Sequence, residues 1–355
     1  MDEREAMARA LELAWRGWGR VAPNPLVGAV VLRDGAVAGE GWHAEFGGPH
    51  AEATALAGAG ERARDATLVV TLEPCVHQGK TPPCVDAIIA SGVRRVVIAL
   101  PDPNPRAAGG AARLREAGID AEVGMLADAA AAQNARFLHA FRDPSRPFVA
   151  LKLASSVDFR IADSSGRSRW ISGPEAREYV HWLRAGFDAI AVGLGTARTD
   201  DPRLTARGDP APRLPLRRVV FDRRLELPHH LRVVADRPEA TTVIADPAAP
   251  QERVHALEAR GVRVLRARDA GDALRQLRDS GIGSVLVEGG GRLAAALLGA
   301  VLIDRFYWIS APLFLGDEAV PALRGLPGTS LHDAVRWRVV ERRDLGADTL
   351  VVLDR

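Results

Sequence analysis

The 355-residue chain is poor in cysteine, with two, and poor in aromatic residues, at 5%. Two cysteines cannot form a disulfide framework, so a disulfide-stapled fold is excluded. No apolar run reaches the roughly 18 residues that a spanning helix needs. Blocks of like charge are absent, and 47 Lys+Arg against 45 Asp+Glu leave a formal charge of +2. A polyelectrolyte partner is therefore not implied, and so few aromatics do not supply a base-stacking face. The start, MDEREAMARALELAW, is charged and helical rather than basic and then apolar. No signal peptide is expected, and the expected setting is cytoplasmic. What remains, 47% hydrophobic and 26% charged residues, is the composition of a globular protein. The length accommodates two domains, each able to bury a core.

Both cysteines fall in one short stretch, Pro74-Cys75-Val76-His77-Gln78-Gly79-Lys80-Thr81-Pro82-Pro83-Cys84, and His50-Ala51-Glu52 lies upstream. One histidine and two cysteines make a three-ligand set for zinc, leaving a fourth position for water. Zinc lowers the pKa of that water, and a carboxylate that is not a ligand can carry its proton to a leaving amine. Glu52 is the candidate proton carrier; His50, Cys75 and Cys84 are the candidate ligands. Zinc nucleobase deaminases carry this pattern as H-x-E followed by P-C-x-x-C. Here the cysteines are spaced Cys-x8-Cys, so the insertion must loop out between the ligands, which Gly79 and Pro82-Pro83 suit. The two prolines are expected to open a helix with Cys84 near its start. On an ideal helix His50 and Glu52 would point to nearly opposite sides. They share a metal only if His50 sits at the helix cap, as Gly47-Gly48-Pro49 before it suggests.

Further motifs set this constellation in an α/β chain. Pro23-Asn24-Pro25 leads into a strand and a hairpin turn at Arg33-Asp34-Gly35. Strands are expected at 67–72 and 94–99, and Pro101-Asp102-Pro103-Asn104-Pro105 follows the second, at a strand end where ligand-reading groups collect. An Ala-rich helix over 128–142 then ends at the connector Asp143-Pro144-Ser145-Arg146-Pro147. In this order the words PNPLVGAVV, HAE, TLEPCVHQGKTPPC and DPNP resemble the deaminase half of the bifunctional riboflavin-biosynthesis deaminase/reductases of bacteria. The resemblance implies zinc-dependent deamination of 2,5-diamino-6-ribosylamino-4(3H)-pyrimidinone 5′-phosphate. It places Asn24 on the pyrimidine, and assigns His77, Lys80, Asp102 and Asn104 to base, ribose or phosphate.

Beyond the connector, 148–154 reads as a buried strand, followed by a helix at 174–186 and strands at 188–192, 217–221, 241–245 and 284–288. Further strands are expected near 306–311 and 350–353. A dinucleotide fingerprint fails, because Arg198 stands where the third glycine after Gly193-Leu194-Gly195 should be. Gly289-Gly290-Gly291-Arg292 sits between a strand and a helix, where backbone amides can cradle a phosphate. The words KLASSVD, SGRSRWIS, LRAGFDAIAVGLGTARTDDPRLTAR and VEGGGRLA resemble the reductase half of the same family, which uses NADPH to reduce the ribosyl group to ribityl. The product implied is 5-amino-6-ribitylamino-uracil 5′-phosphate. The implied NADPH contacts are Ala154, Trp170, Thr196, Asp200, Gly289, Gly290, Gly291 and Arg292. The implied substrate contacts are Ser168, Arg184, Leu204, Arg207 and Glu288, with Lys152 near the reacting carbon. Arg184 and Arg207 suit a phosphate, which a guanidinium grips with two donors. One departure stands out: the family usually has Asp-Gly after the Lys152 strand, and this chain has Asp158-Phe159. Glycine permits backbone angles that phenylalanine resists.

The expected fold is α/β. A cytidine-deaminase-like α/β/α sandwich over 1–145 precedes a dihydrofolate-reductase-like α/β domain over 146–355. The expected partner is a small phosphoribosyl pyrimidine, with no nucleic acid and no membrane; a homo-oligomer is compatible with the sequence. Three alternatives stay open: a deaminase with an inactive or regulatory second half, a nucleic-acid base deaminase, and a zinc-stapled binding protein without chemistry.

Overall fold

The computed structural model describes residues 1–79 and 82–355, and the chain divides into two compact units, Met1–Arg142 and Asp143–Arg355. The division falls at the start of the connector, three residues before the expected boundary. Lys80 lies outside the described residues.

In the first unit the strands are β1 (Gly28–Arg33), β2 (Ala36–Trp42), β3 (Thr67–Val70), β4 (Arg95–Ile98) and β5 (Asp120–Val123). Among the described residues they form a five-stranded sheet, ordered β2-β1-β3-β4-β5. β1 runs antiparallel to both neighbours, whereas β3, β4 and β5 are parallel. Asp34 and Gly35 turn the β1–β2 hairpin with φ of 51° and 75°, the left-handed pair that matches strand twist. Alternation along the strands then sorts the core. Ala29, Val31, Leu68, Val70, Val96 and Ile98 pack under the helices Ala51–Ala59, Cys84–Ser91 and Gly110–Glu116. Val30, Leu32, Val69 and Val97 pack on the other face, against Met7, Ala10 and Leu13 of the helix Glu3–Ala14 and Ala130 of the helix Ala127–Gln133. The result is an α/β/α sandwich.

Two details position the zinc-ligand candidates. Helix Ala51–Ala59 lies so close to β2 that a Cβ on Gly39 would stand 2.2 Å from the Ala55 carbonyl oxygen, and one on Gly41 2.3 Å from that of Ala51. Only glycine permits this approach. The expected single helix at 128–142 is instead two, Ala127–Gln133 and Ala135–Arg142. Between them Asn134, 3% exposed, accepts from the Leu26 amide at 2.8 Å and donates to the Leu26 carbonyl at 2.9 Å. Its amide replaces a strand neighbour for Leu26 and anchors the Asn24 segment.

The second unit contains β6 (Phe148–Ser156), β7 (Arg160–Ala162), β8 (Ala189–Gly193), β9 (Arg217–Phe221), β10 (Thr241–Ala245), β11 (Arg263–Arg266), β12 (Ser284–Glu288), β13 (Arg305–Ala311), β14 (Val320–Pro321), β15 (Arg338–Leu345) and β16 (Asp348–Asp354). Its main sheet has nine strands among the described residues, in the order β11-β10-β9-β8-β12-β6-β13-β16-β15. From β11 to β13 the pairs are parallel; β16 and β15 close the sheet antiparallel. β11 and β15 were not expected. They are the two edges, and each carries arginines where interior strands carry valine and alanine, so their alternation is blurred.

Phe159 occupies the backbone region that its side chain resists. Its φ is 60°, and its amide donates to the Ser156 carbonyl at 3.0 Å, closing the turn after β6. The ring packs edge-on against Trp308, centroids 5.6 Å apart. Ring burial offsets a left-handed penalty of about 1–2 kcal/mol, and the turn keeps its path.

The Gly41 contact yields a direct test. Gly41→Ala should push the helix Ala51–Ala59 off β2 and lower bound zinc well below one per chain, measured by elemental analysis of folded protein. Full zinc occupancy would show that the close approach does not govern the site.

Candidate active sites

In the first unit, sequence-distant segments converge. His50 caps the helix Ala51–Ala59 with extended backbone angles of −74° and 158°, and Glu52 lies in its first turn. The cap therefore resolves the geometric conflict between the two side chains. Cys75 follows β3 by a short loop, while Cys84 opens the helix Cys84–Ser91 and donates its amide to the Cys75 sulfur at 3.4 Å. His50 Nδ1 is 3.1 Å from Cys84 Sγ and 3.7 Å from Cys75 Sγ. All three donor atoms lie within 4.8 Å of one another.

The electrostatics of this cluster fit a cation. The Cys75 thiol is pulled down to about 4, first by the hydrogen bond from Cys84 and also by His50. Cys84 is pushed up by the same shared proton and by burial. A divalent cation with nitrogen and thiolate preference suits these three donors, and binding it takes both sulfurs as thiolates. Beside it Glu52 is 4% exposed, and burial raises its carboxyl, with His50 opposing. A carboxyl raised in this way is poised to exchange protons nearer neutral pH.

A cavity of about 250 Å³ opens onto Glu52 and His50. Asn24, His77, Asp102 and Asn104, each expected from the sequence, line it. The 102–106 loop is self-bracing: Asp102 Oδ1 accepts from the Asn104 amide at 2.8 Å, and Asn104 Oδ1 from the Arg106 amide at 3.1 Å. That leaves one Asp102 oxygen and the Asn104 amine for a ligand. Burial raises the Asp102 carboxyl. His77 Nδ1 is buried, with no hydrogen-bond partner among the described residues.

Two residues that sequence reasoning missed hold this cavity together. Glu73, 8% exposed, accepts from the amides of Asp102 at 3.0 Å and Ala111 at 2.9 Å, tying the 102–111 loop to the cysteine loop. His43, 3% exposed, bonds the Pro49 carbonyl at 3.0 Å and Asn24 Nδ2 at 3.1 Å. Their only sequence signals are adjacency to Pro74-Cys75 and to the β2 glycines.

In the second unit the parallel register sets Lys152 of β6 beside Glu288 of β12. Glu288 accepts twice from Arg184, at 2.5 and 2.9 Å, and Arg184 also donates to the Thr205 carbonyl at 2.9 Å. Arg184, an implied substrate contact, thus already shares two of its donors with the buried carboxylate. Arg207 is exposed, with no hydrogen bond or ion pair among the described residues, and offers the open fork instead. Desolvation lowers Lys152, and the nearby Arg184 acts the same way against the pull of Glu288. His181, not singled out from the sequence, lies one helical turn before Arg184.

Of the nicotinamide-cofactor candidates, Thr196 and Gly289 follow the C-terminal ends of β8 and β12. Ala154 is half-buried on β6, two residues from Lys152. Gly289 and Gly290 have φ of 76° and 82°, and a Cβ on Gly290 would stand 3.0 Å from Thr196 Oγ1. That cradle suits a group needing close backbone approach. Gly291 differs: its Cβ would meet the Pro321 carbonyl at 2.7 Å, so its smallness serves packing. Arg292 is exposed in the first turn after it. Ser168 Oγ lies 3.4 Å from Asp200 Oδ1, joining an expected substrate contact to an expected cofactor contact. Trp170 is 70% exposed with the Arg177 guanidinium 4.7 Å above its ring, so it is not a core residue. Leu204 is 3% exposed in the apolar layer with Ile190 and Val220, which leaves its backbone as the available contact.

Comparison with known proteins agrees with both halves. Residues 1–100 match the family profile for the cytidine and deoxycytidylate deaminase zinc-binding region, and residues 147–351 match that for the RibD C-terminal domain. The riboflavin biosynthesis protein RibD of Aquifex aeolicus is 38% identical over 356 residues, covering 99% of this chain and 98% of that one. The chain belongs to the RibD family. RibD of Escherichia coli is 39% identical over 378 residues, 99% of each chain. A solved RibD of Acinetobacter baumannii superposes with a TM-score of 0.81 at 38% identity, covering 99% of this chain and 98% of that one. A Thermotoga maritima structure described as a diaminohydroxyphosphoribosylaminopyrimidine deaminase/5-amino-6-(5-phosphoribosylamino)uracil reductase gives 0.82 at 36%, with the same coverage. The chain is accordingly a bifunctional deaminase and reductase of riboflavin biosynthesis, acting on small molecules, with zinc and NADPH as cofactors. Among the described residues no helix is long and apolar enough to cross a membrane.

The two arginines should separate in mutagenesis. Arg207→Ala should raise the reductase KM about tenfold or more while sparing deamination and stability. Arg184→Ala strands the buried Glu288 and should cost the second unit about 3–5 kcal/mol. Equal effects on KM and on chemical denaturation would contradict this division.

Proposed function

We propose that the Glu52 cavity deaminates 2,5-diamino-6-ribosylamino-4(3H)-pyrimidinone 5′-phosphate, and that the Lys152–Glu288 cluster then reduces the ribosyl group to ribityl. The observation that carries the first half is a buried, unligated carboxyl next to a closed three-donor set. Zinc held by His50, Cys75 and Cys84 would supply an acidified water. Glu52 takes a proton from that water and hands it to the departing amine, so each turnover consumes water and releases ammonia. Asn24, Asp102 and Asn104 orient the pyrimidine and its sugar, and His77 faces the same space. Lys80 is the phosphate partner in this reading.

In the second unit NADPH would supply hydride, with Thr196 and Gly289–Gly290 beside its phosphates, and Ala154, Trp170, Asp200 and Arg292 along its length. Lys152, its pKa lowered by desolvation, would protonate the sugar oxygen released as the anomeric carbon accepts hydride. Glu288 and Arg184 fix the position of Lys152, while Ser168, Arg207 and the Leu204 backbone hold the phosphorylated sugar.

A cavity of about 250 Å³ bearing Glu52 and Asp102 suits a small pyrimidine better than an anionic nucleic-acid strand. The two free cysteines needed as thiolates fit a reducing, cytoplasmic setting.

A coupled assay with zinc and NADPH should give equal yields of ammonia and oxidised NADPH from the diaminopyrimidine phosphate. Glu52→Gln should keep its zinc and lose deamination by about 10²–10⁴-fold. A chelator should stop ammonia release yet leave reduction of the pre-deaminated compound intact. Ammonia release by the Gln variant at the wild-type rate would remove Glu52 from its role, and ammonia without NADPH oxidation would refute the second half.

A further inference from the structure

We propose that Glu73 is a positioning residue that couples the metal-ligand loop to the 100–111 segment of the cavity wall, so that metal loading and ordering of that wall are one event. The proposal rests on the deaminase reading above and concerns how that site is assembled.

The short segment 73–76, which follows β3, binds two others. It meets the helix Cys84–Ser91 where the Cys84 amide donates to the Cys75 sulfur and the Val85 amide to the Cys75 carbonyl, each at 3.4 Å. It meets 100–111 through backbone and side chain together. The Glu73 amide donates to the Leu100 carbonyl at 2.8 Å, and the Val76 amide to the Ala107 carbonyl at 3.1 Å. The Glu73 carboxyl accepts from the amides of Asp102 at 3.0 Å and Ala111 at 2.9 Å. Gly110 sits so tightly on this seam that a Cβ there would stand 2.0 Å from the Pro74 carbonyl oxygen. Asp102, Asn104 and Ala107 line the same cavity as Cys75 and Glu73.

Any residue can make the backbone contacts at Leu100 and Ala107; the two side-chain contacts require Glu73. It is 8% exposed, so water does not replace a lost partner. Both partners are backbone N–H groups, which only donate, so both side-chain oxygens must accept. Glutamine has nearly the same shape but only one acceptor, and its amine would oppose whichever N–H it faced. Only Pro74 separates Glu73 from Cys75. Its ring fixes its own φ near about −65° and restricts the residue before it, so little movement is absorbed between the two side chains. A cation that fixes Cys75 against His50 and Cys84 thereby fixes Glu73, and through it the Asp102 and Ala111 amides. The coupling is reciprocal, so a ligand that orders 102–111 holds the metal more tightly.

The test is hydrogen exchange read by mass spectrometry on the full-length protein, zinc-loaded and after zinc removal, with elemental analysis of each sample. In the wild type, peptides over 100–111 should exchange about tenfold faster without zinc, while those of β1 and β4 stay unchanged. Zinc-loaded Glu73→Gln should show the fast exchange already, and its deaminase KM should rise about tenfold with kcat within about threefold. Gly110→Ala, which opens the same seam by a different contact, should behave alike. Equal exchange of 100–111 in the wild type with and without zinc would overturn the proposal. So would loosening that spreads equally to β1 and β4, or zinc-loaded Glu73→Gln with wild-type exchange and KM. If neither variant folds, the wild-type comparison decides. A wild type with zinc-dependent exchange that releases no ammonia would refute the deaminase reading and leave the coupling standing.

Discussion

The deaminase half depends on one close contact, the seating of the helix Ala51–Ala59 on β2 through Gly39 and Gly41. That contact sets where the helix begins, and the helix start carries both His50 at its cap and Glu52 one turn in. Two side chains that an ideal helix would separate are brought to one point because the first has extended backbone and the second helical. Cys75 and Cys84 approach from the β3 side, joined by a sulfur-accepted amide, and complete the three-donor set.

The rest of the first site is a series of clamps rather than a series of ligands. Glu73 binds the 102–111 loop to the cysteine loop, and Asn134 binds the Asn24 segment to a helix break. Asp102 and Asn104 each use one side-chain atom on their own loop and keep another for a ligand. Buried polar groups that are satisfied this fully rigidify a site. In the second unit the same logic appears in charged form. Parallel register puts Lys152 next to Glu288, and Arg184 neutralises the carboxylate so that the lysine is not simply paired away.

Much of the architecture was legible because it rests on local pattern. The alternating strands of both sheets, the Asp34-Gly35 turn, the helix opening at Cys84 and the connector all follow from period and punctuation. Edge strands β11 and β15 were illegible because arginines interrupt the alternation that marks a half-buried strand. The break at Asn134 was illegible because its partner, Leu26, lies over a hundred residues away. Phe159 shows both sides: its mismatch with a left-handed turn was visible in the sequence, whereas the Trp308 contact that tolerates it was not.

By itself the sequence determined the chemistry available to this protein: a nitrogen and two sulfurs for zinc, a nearby carboxyl, a lysine in an apolar strand, and glycines before a helix. These are statements about residue type and spacing, which a linear text carries. The tertiary structure decided which groups are free to act. Arg184 and Arg207 read alike in the sequence, yet one is consumed by Glu288 and the other is open. His43 carried no signal in the sequence, yet it joins the Pro49 carbonyl to Asn24. Hydrogen-bond capacity is finite, and where each donor and acceptor is spent depends on neighbours that only the folded chain supplies.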